Sequence, residues 1–384
     1  MTRIFIISVL LIADSATGLL FNLHSPIYRI GFVLKTCIIL SFIIYYLTRL
    51  KNTSVRSIYF VLSICFFSWL ISSTSSILIN PDFGIISSLT ILSRYLFFFV
   101  LACLFLDDKT GTDYGKILKF FFIINNIFII IGFCFTLRIF SSYNIMADVR
   151  FGYKGLIYGA NEVAGIYILG IAFFYREVFR HKQPKKMLLF VTCVAAVLTG
   201  TKATLIGLIL ITLYYFAKYK ARHLIVVLIP LVILTTSLVV QNWELINEKY
   251  LASNTERFLS NDLITFLMSG RDIYIVQNFT FINNHWSLIN FLFGDSFLYS
   301  ETDALDLYFF FGLVGALYLY MYTRLFFIRD HSIDNIFVFL VLIAIAAVSG
   351  HIIQSGVVPV FVLLYIFSEK GSRQYEMPRS NSFN

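Results

Sequence analysis

Residues 241–303 read QNWELINEKYLASNTERFLSNDLITFLMSGRDIYIVQNFTFINNHWSLINFLFGDSFLYSETD. Apolar periodicity lapses here for about three times the length of one bilayer-spanning helix. The stretch holds Trp243, Glu244, Arg257, Asp262, Arg271, Asp272, His285, Trp286, Asp295, Glu301 and Asp303, including two of the chain's 3 tryptophans. Scattered apolar residues such as Phe258, Leu259 and the run 288–293 argue against disorder. A long interval of this kind between short connections is expected to carry function. It reads as a folded cap over one face of a helical bundle.

Outward from that interval the chain reads as membrane. It has 384 residues, 59% hydrophobic and 13% charged, with a mean hydropathy of +0.82. Soluble domains average about 25% charged residues. Apolar runs fall at 4–23, 28–48, 57–78, 87–106, 117–138, 156–177, 187–200, 203–218, 223–240, 303–328, 334–349 and 351–368. The predicted fold is an all-α polytopic membrane protein of about twelve spans. Its parts are a membrane bundle over 1–240, a periplasmic loop over 241–302 between the ninth and tenth helices, membrane helices over 303–368, and a tail over 369–384.

The basic residues fix the orientation. With the N-terminus inside, the inner connections carry Arg49, Lys51 and Arg56, then Lys109, Lys116 and Lys119, then Arg176, Arg180, Lys182, Lys185 and Lys186. Lys218, Lys220 and Arg222 follow, then Arg324 and Arg329, and the tail adds Lys370, Arg373 and Arg379. Outer segments are poorer in cations, as the positive-inside rule requires. The alternation survives only if 187–218 holds two spans. The net charge of +9 is therefore a topology signal, and no basic run suits nucleic acid. The 5 cysteines fall inside apolar runs without metal-ligand spacing and read as packing residues. The first run holds Asp14 and lacks a cleavage-site pattern, so it is expected to be a retained helix.

The ionisable groups expected near the outer face are few. They include Arg94, Arg150, Lys154, Glu162, Lys202, Arg271, Asp272, Glu301, Asp303 and Asp306. Charge at membrane depth is costly and tends to mark function. Gly152, Gly155 and Gly159 lead into a span through Asn161; glycines there either open the backbone to an anion or pack helices. Thr199-Gly200-Thr201-Lys202 sets one cation at a tight turn. Glu301, Asp303 and Asp306 open a span, where acids favour the helix dipole. Alternatively one of them, Asp303 by its central place, serves as a general base. His285, beside Trp286, is a second candidate base; His351 has no partner at ligand spacing. Tyr153 and Trp286 offer ring faces for sugars or for the membrane interface. No residue pattern calls for a metal or a cofactor.

The layout, Arg150…Asn161 before a span, Ser269-Gly270-Arg271, Phe293-Gly294-Asp295 and Glu301-x-Asp303…Phe311-Gly312-x-x-Gly315 resemble the O-antigen polymerase and ligase superfamily, the polymerase branch in particular. The resemblance runs from about Arg150 onward. Relatives often carry Ser-Arg where this chain has Thr201-Lys202, and lysine lacks the bidentate fork of arginine. The resemblance implies a multi-pass protein of the bacterial inner membrane that transfers a growing glycan from undecaprenyl pyrophosphate to the non-reducing end of a lipid-linked repeat unit. Its implied partners are that lipid-linked oligosaccharide, membrane lipid and a protein that sets chain length. Arg271 would meet the departing pyrophosphate, with Arg150, Lys154, Asn161, Lys202, Tyr153 and Trp286 around the substrates. A ligase of the same superfamily, or a flippase for lipid-linked oligosaccharide, is the alternative. The absence of a clear internal repeat weighs against a transporter.

Charge alternation sets the first test. Reporter fusions after Asn254 and after Lys370 should report opposite compartments, the first periplasmic and the second cytoplasmic. One compartment for both would overturn the topology.

Overall fold

The computed structural model describes residues 2–23, 30–47, 53–79, 84–107, 112–142, 152–182, 185–219, 265, 268 and 270–369. The expected span 223–240, Arg150, Trp243, Glu244, Arg257, Asp262 and Ser269 lie outside the described residues. Among the described residues the regular structure is helical, apart from one isolated bridge between Ser141 and Tyr153.

The helices are α1 Thr2–Asn22, α2 Ile30–Leu47, α3 Thr53–Ile79, α4 Ile85–Leu106, α5 Tyr114–Cys134, α6 Ala160–Tyr175, α7 Lys186–Leu198 and α8 Lys202–Tyr219. After the expected loop come α9 Arg271–His285, α10 Leu288–Phe293, α11 Asp303–Phe311, α12 Val314–Phe326, α13 Ile333–Ser349 and α14 Val358–Phe367. Ile4–Asn22, Val55–Leu78, Ile85–Leu106, Tyr114–Cys134 and Lys202–Tyr219 are long and apolar enough to cross a bilayer. The chain is thus an all-helical protein with several membrane-spanning candidates. The run 187–218 does break, at Thr199-Gly200-Thr201 between α7 and α8.

Two short helices form the centre. Every residue of α14 is buried, as is α6 from Val163 to Tyr175. A helix that is apolar all round belongs inside a bundle. α6 packs on α7, α8, α13 and α14, and α14 also lies against α4 and α5. Polar ties hold the pair at both ends. At one end Ser355 Oγ donates to Glu162 Oε1 at 2.8 Å. At the other, buried Arg176 opens a π-helical turn over Arg176–Arg180. It donates to Tyr365 O at 3.2 Å and Ser368 Oγ at 2.6 Å, and its guanidinium lies over the Tyr365 ring. Arg180 adds ion pairs to Asp330 and Glu369 at 2.8 and 2.6 Å.

Two expected spans are broken. Gly312 ends the run 303–328 after Phe311, and the chain restarts at Val314. Gly312 therefore breaks the helix, contrary to its expected place inside one. Its φ is +57°, and Gly294, at φ +84°, passes against it: a Cβ on Gly312 would lie 2.6 Å from Gly294 N. Only glycine combines left-handed backbone with such close approach. The run 351–368 is helical only from Val358; 350–357 is an irregular linker whose residues from Ile352 to Ser355 are buried.

The end of the expected loop also departs from a surface cap. From α10 to Ser296 the chain lies against α3, which meets it with a face of serines. Ser68 donates to Phe293 O at 3.0 Å, Ser72 and Ser73 bond Ser296 Oγ at 2.5 and 3.0 Å, and Ser76 donates to Asp295 Oδ1 at 2.5 Å. Asn290 reaches Ser75 Oγ at 3.1 Å. Ser68 and Ser76 are about 12 Å apart along a helix axis, so the segment reaches well down α3. Irregular backbone at such depth persists only where protein groups satisfy it.

The Gly294–Gly312 crossing yields a paired test. Gly312→Ala should cost about 1–2 kcal/mol for the left-handed backbone and a further ~1–3 kcal/mol for overlap. Gly270 has φ +86° with nothing within 4 Å of an added Cβ, so Gly270→Ala should cost the backbone term alone. Thermal unfolding in detergent should rank Gly312→Ala clearly below Gly270→Ala; equal midpoints would contradict the close crossing.

Candidate functional site

The three carboxylates that open α11 have three different environments. Asp303 is fully buried, and its oxygens accept the backbone N–H groups of His351, Ile352 and Ile353 at 2.8, 2.6 and 2.7 Å, with Gln354 N at 3.5 Å. It fastens the irregular 350–357 linker to the start of α11. Asp306 Oδ1 accepts Ser300 N at 2.6 Å and Ser300 Oγ at 2.7 Å, and its side chain is buried. Both carboxylates are committed to holding backbone, which leaves neither as the freely approachable base expected from sequence. Glu301 alone points outward. Its side chain is 44% exposed, and Oε2 lies 3.5 Å from Arg271 Nε.

Arg271 is the first residue of α9, after left-handed Gly270. Its ion-pair partner is Glu301 and not the adjacent Asp272, which instead accepts a hydrogen bond from Thr265. Arg271 also donates to Met268 O at 3.4 Å. Its side chain is 13% exposed, so the guanidinium is largely lined by protein but open at one side. α9 and the following turn are joined where Asn278 donates to Tyr299 O at 3.0 Å.

Tyr299 extends the cluster. Its hydroxyl lies 3.0 Å from His351 Nε2. Burial and the carboxylates of Asp306, Glu301 and Asp303 push its phenol well above the ordinary range, while Arg94 pulls the other way. The structure thus assembles Arg271, Glu301, Tyr299, His351 and Arg94 from two helices and two linkers. His351 had no visible partner in sequence because its partner is 52 residues away. The available signal was Ser349-Gly350-His351 with Gln354-Ser355-Gly356, a polar and glycine-bearing island inside an otherwise apolar stretch.

Other expected site residues lie elsewhere. His285 ends α9, so about 21 Å of helix separates it from Arg271. It is exposed, stacks on Phe281 and bonds Phe281 O through Nδ1 at 3.1 Å. It is therefore not brought to the Arg271 cluster. Trp286 packs edge-on against Phe291 and beside Tyr308. Lys154 is 4% exposed; Nζ donates to Tyr158 O at 2.6 Å and approaches Asn22 Oδ1 at 3.4 Å. Burial pushes its ammonium down to about 8, against the pull of Glu162. It ties α1 to the 152–159 linker rather than presenting a charge to an outer ligand.

Gly152 is closed as well, since a Cβ there would lie 2.2 Å from Thr199 O. Tyr153 N donates to Leu198 O at 2.9 Å, which brings the 152–154 strip to the turn before Lys202. Lys202 and Asn161 each sit in the first turn of their helices, α8 and α6, and are half-buried. Glu162 accepts from Gly159 N and Ser355 Oγ, a helix-start role. Inside the bundle Asp14 of α1 forms an ion pair with Lys35 of α2. Among the described residues no three His, Cys, Asp or Glu side chains come together as a metal cage.

The carboxylates separate by test. Asp303→Asn replaces one acceptor oxygen with an amide that faces backbone donors. Bonds to charged groups are worth about 1.5–3 kcal/mol, so this variant should lose at least ~2 kcal/mol of stability. Glu301→Gln, being exposed, should stay within about 0.5 kcal/mol of the parent. Detergent melting curves with equal midpoints for the two variants would remove the staple role from Asp303.

The chain matches no protein-family model, no curated protein and no solved structure.

Proposed function

We propose that this protein is a polysaccharide polymerase of the bacterial inner membrane. It transfers a growing glycan from undecaprenyl pyrophosphate to the non-reducing end of a lipid-linked repeat unit, on the periplasmic side. In this reading the chain has about twelve spans, both termini are cytoplasmic and 241–302 is periplasmic.

The observation that carries the reading is the Arg271–Glu301 pair, a largely covered guanidinium beside an exposed carboxylate, at the end of the bundle where α6, α11 and α14 begin. Glycosyl transfer from a lipid pyrophosphate leaves negative charge on the departing group. A guanidinium can bind two of its oxygens at once, and a site of low dielectric strengthens the contact. Glu301 pairs with the guanidinium at 3.5 Å and is 44% exposed, which supports a role beside an incoming acceptor hydroxyl. The resemblance to O-antigen polymerases in Ser269-Gly270-Arg271 and Glu301-x-Asp303 points to the same chemistry. The ligase branch is expected to carry a loop histidine close to its catalytic arginine, and the length of α9 between Arg271 and His285 weighs against that alternative.

One observation favours the other class. The buried Asp14–Lys35 pair is the kind of intramembrane charge that a flippase uses. The two readings differ in bond formation, because a flippase makes no new glycosidic bond.

Purified full-length protein should lengthen lipid-linked repeat units in detergent. Losing one charge-stabilising contact costs about 2–4 kcal/mol in the transition state, so Arg271→Ala should slow chain growth roughly 30- to 1,000-fold at normal protein levels. Arg271→Lys should recover part of that, since charge returns without the fork. Long chains formed at parental rate by a stably inserted Arg271→Ala protein would rule out this role.

A further inference from the structure

Among the described residues, four that are not glycine have positive φ: Thr136, Lys182, Glu301 and His351. Glu301 at +61° and His351 at +59° are neighbours in space. A Cβ on Gly350 would lie 2.2 Å from Glu301 O, so the two linkers touch at these residues. Side chains of this size disfavour the left-handed region, and such backbone persists only where its surroundings impose it. At His351 it is imposed by Asp303, which grips the N–H groups of His351, Ile352 and Ile353. Strained residues of this kind gather at functional sites.

The His351 ring is also placed. The Tyr299 hydroxyl is 3.0 Å from Nε2 and 3.4 Å from Nδ1; with its oxygen accepting the Nε2–H, Nδ1 is the nitrogen that keeps a lone pair. Tyr299 keeps its proton, because burial and three carboxylates oppose its ionisation. His351 is the one residue of 351–355 that is not buried; Ile352 to Ser355 are closed off. Its linker touches the backbone of Glu301 at Gly350, and Glu301 in turn pairs with Arg271. Three residues on, the buried Gln354 Oε1 has no hydrogen-bond partner.

We infer that His351, oriented by Tyr299, takes the proton from the acceptor sugar hydroxyl. This rests on the glycan-transfer reading above. The hydroxyl O–H bond breaks and its proton passes to the free imidazole nitrogen. The oxygen forms the new bond to the donor's anomeric carbon. The bond from that carbon to the pyrophosphate oxygen breaks, and its electron pair leaves with the pyrophosphate beside Arg271. The imidazolium then returns its proton to water. Of the carboxylates nearby, Asp303 holds backbone through both oxygens, Asp306 holds Ser300 through Oδ1, and Glu301 pairs with Arg271 at 3.5 Å. The ionisable groups around the imidazole are Tyr299 on its ring, Glu301 across the linker contact, Asp303 under its backbone, and Arg94 beyond Tyr299. A protonated imidazole cannot accept a proton, so activity falls toward acid pH.

The test uses full-length protein in nanodiscs and lipid-linked single repeat units extracted from cells in which this gene is deleted. His351→Gly removes the imidazole and suits the left-handed backbone, so the fold is kept. Chain growth should drop about 10²- to 10⁴-fold with little change in acceptor KM. The acid limb of the pH–rate profile should vanish, and added free imidazole should restore part of the rate. Tyr299→Phe should keep a measurable rate and move the acid limb. Parental rates and an unchanged profile in His351→Gly, or loss that imidazole does not relieve, would overturn the role of His351 while polymerisation by the parent stands. A folded parent that never lengthens these substrates would overturn both readings together.

Discussion

An unpaired backbone N–H or C=O cannot be left in an apolar interior. Among the described residues, irregular pieces that enter this bundle include the turn from 294 to 302, the break at Gly312, and the linker 350–357. Each is satisfied by side chains from elsewhere. Ser68 serves the carbonyls of Phe293 and Phe311. Asp303 serves the amides that follow Gly350. Ser355 accepts Val357 N and Val358 N, both at 3.0 Å, and so starts α14. Much of the buried polarity of this membrane protein is explained by that demand alone. Among the described residues, groups it does not explain include Arg271, Glu301, Tyr299, His351, Arg94, Gln354 and the Asp14–Lys35 pair.

The same ties make the site rigid. α6 and α14 are fixed to each other at one end by Glu162 and Ser355 and at the other by Arg176, Tyr365 and Ser368. The 350–357 linker therefore has a fixed far end at Ser355 and a fixed near end at Asp303. His351 is left with little backbone freedom, although it is open to solvent on one side. α9 joins the same frame through Asn278 and Tyr299 O, so Arg271 and His351 are held by connected parts of one scaffold. Catalytic constellations need this kind of support, since small misplacements cost large factors in rate.

The helices were legible because apolar runs of membrane length have few other meanings. The break between α7 and α8 was legible too, from charge alternation around Thr199-Gly200-Thr201. The breaks at Gly312 and before Val358 were not. Phe309, Phe310, Phe311, Leu313 and Val314 carry the apolar run across Gly312, and glycine is common within membrane helices. What ends the helix is the non-local passage of Gly294. Likewise Asp303 looked like a base because its partners lie 48 to 51 residues onward. The serines at 68, 72, 73, 75 and 76 were visible, but nothing local to α3 says what they face.

Glu301, Asp303 and Asp306 show why neighbouring carboxylates take different work. Asp303 and Asp306 are one turn apart on α11 and so share a face. That face is turned inward, and both must be hydrogen-bonded there or be too costly to bury. Glu301 precedes the helix and its cap, Thr302, and its left-handed backbone turns its side chain away from that face. It reaches solvent and Arg271 instead. The strain at Glu301 is thus the geometric condition for presenting a carboxylate outward immediately before two that must point in. His351 meets the same condition from the opposite linker: it is outward, left-handed and followed by buried residues. Asp303 binds the amides that follow Gly350, and Gly350 lies against Glu301 O, so the two strained residues meet where the linkers touch.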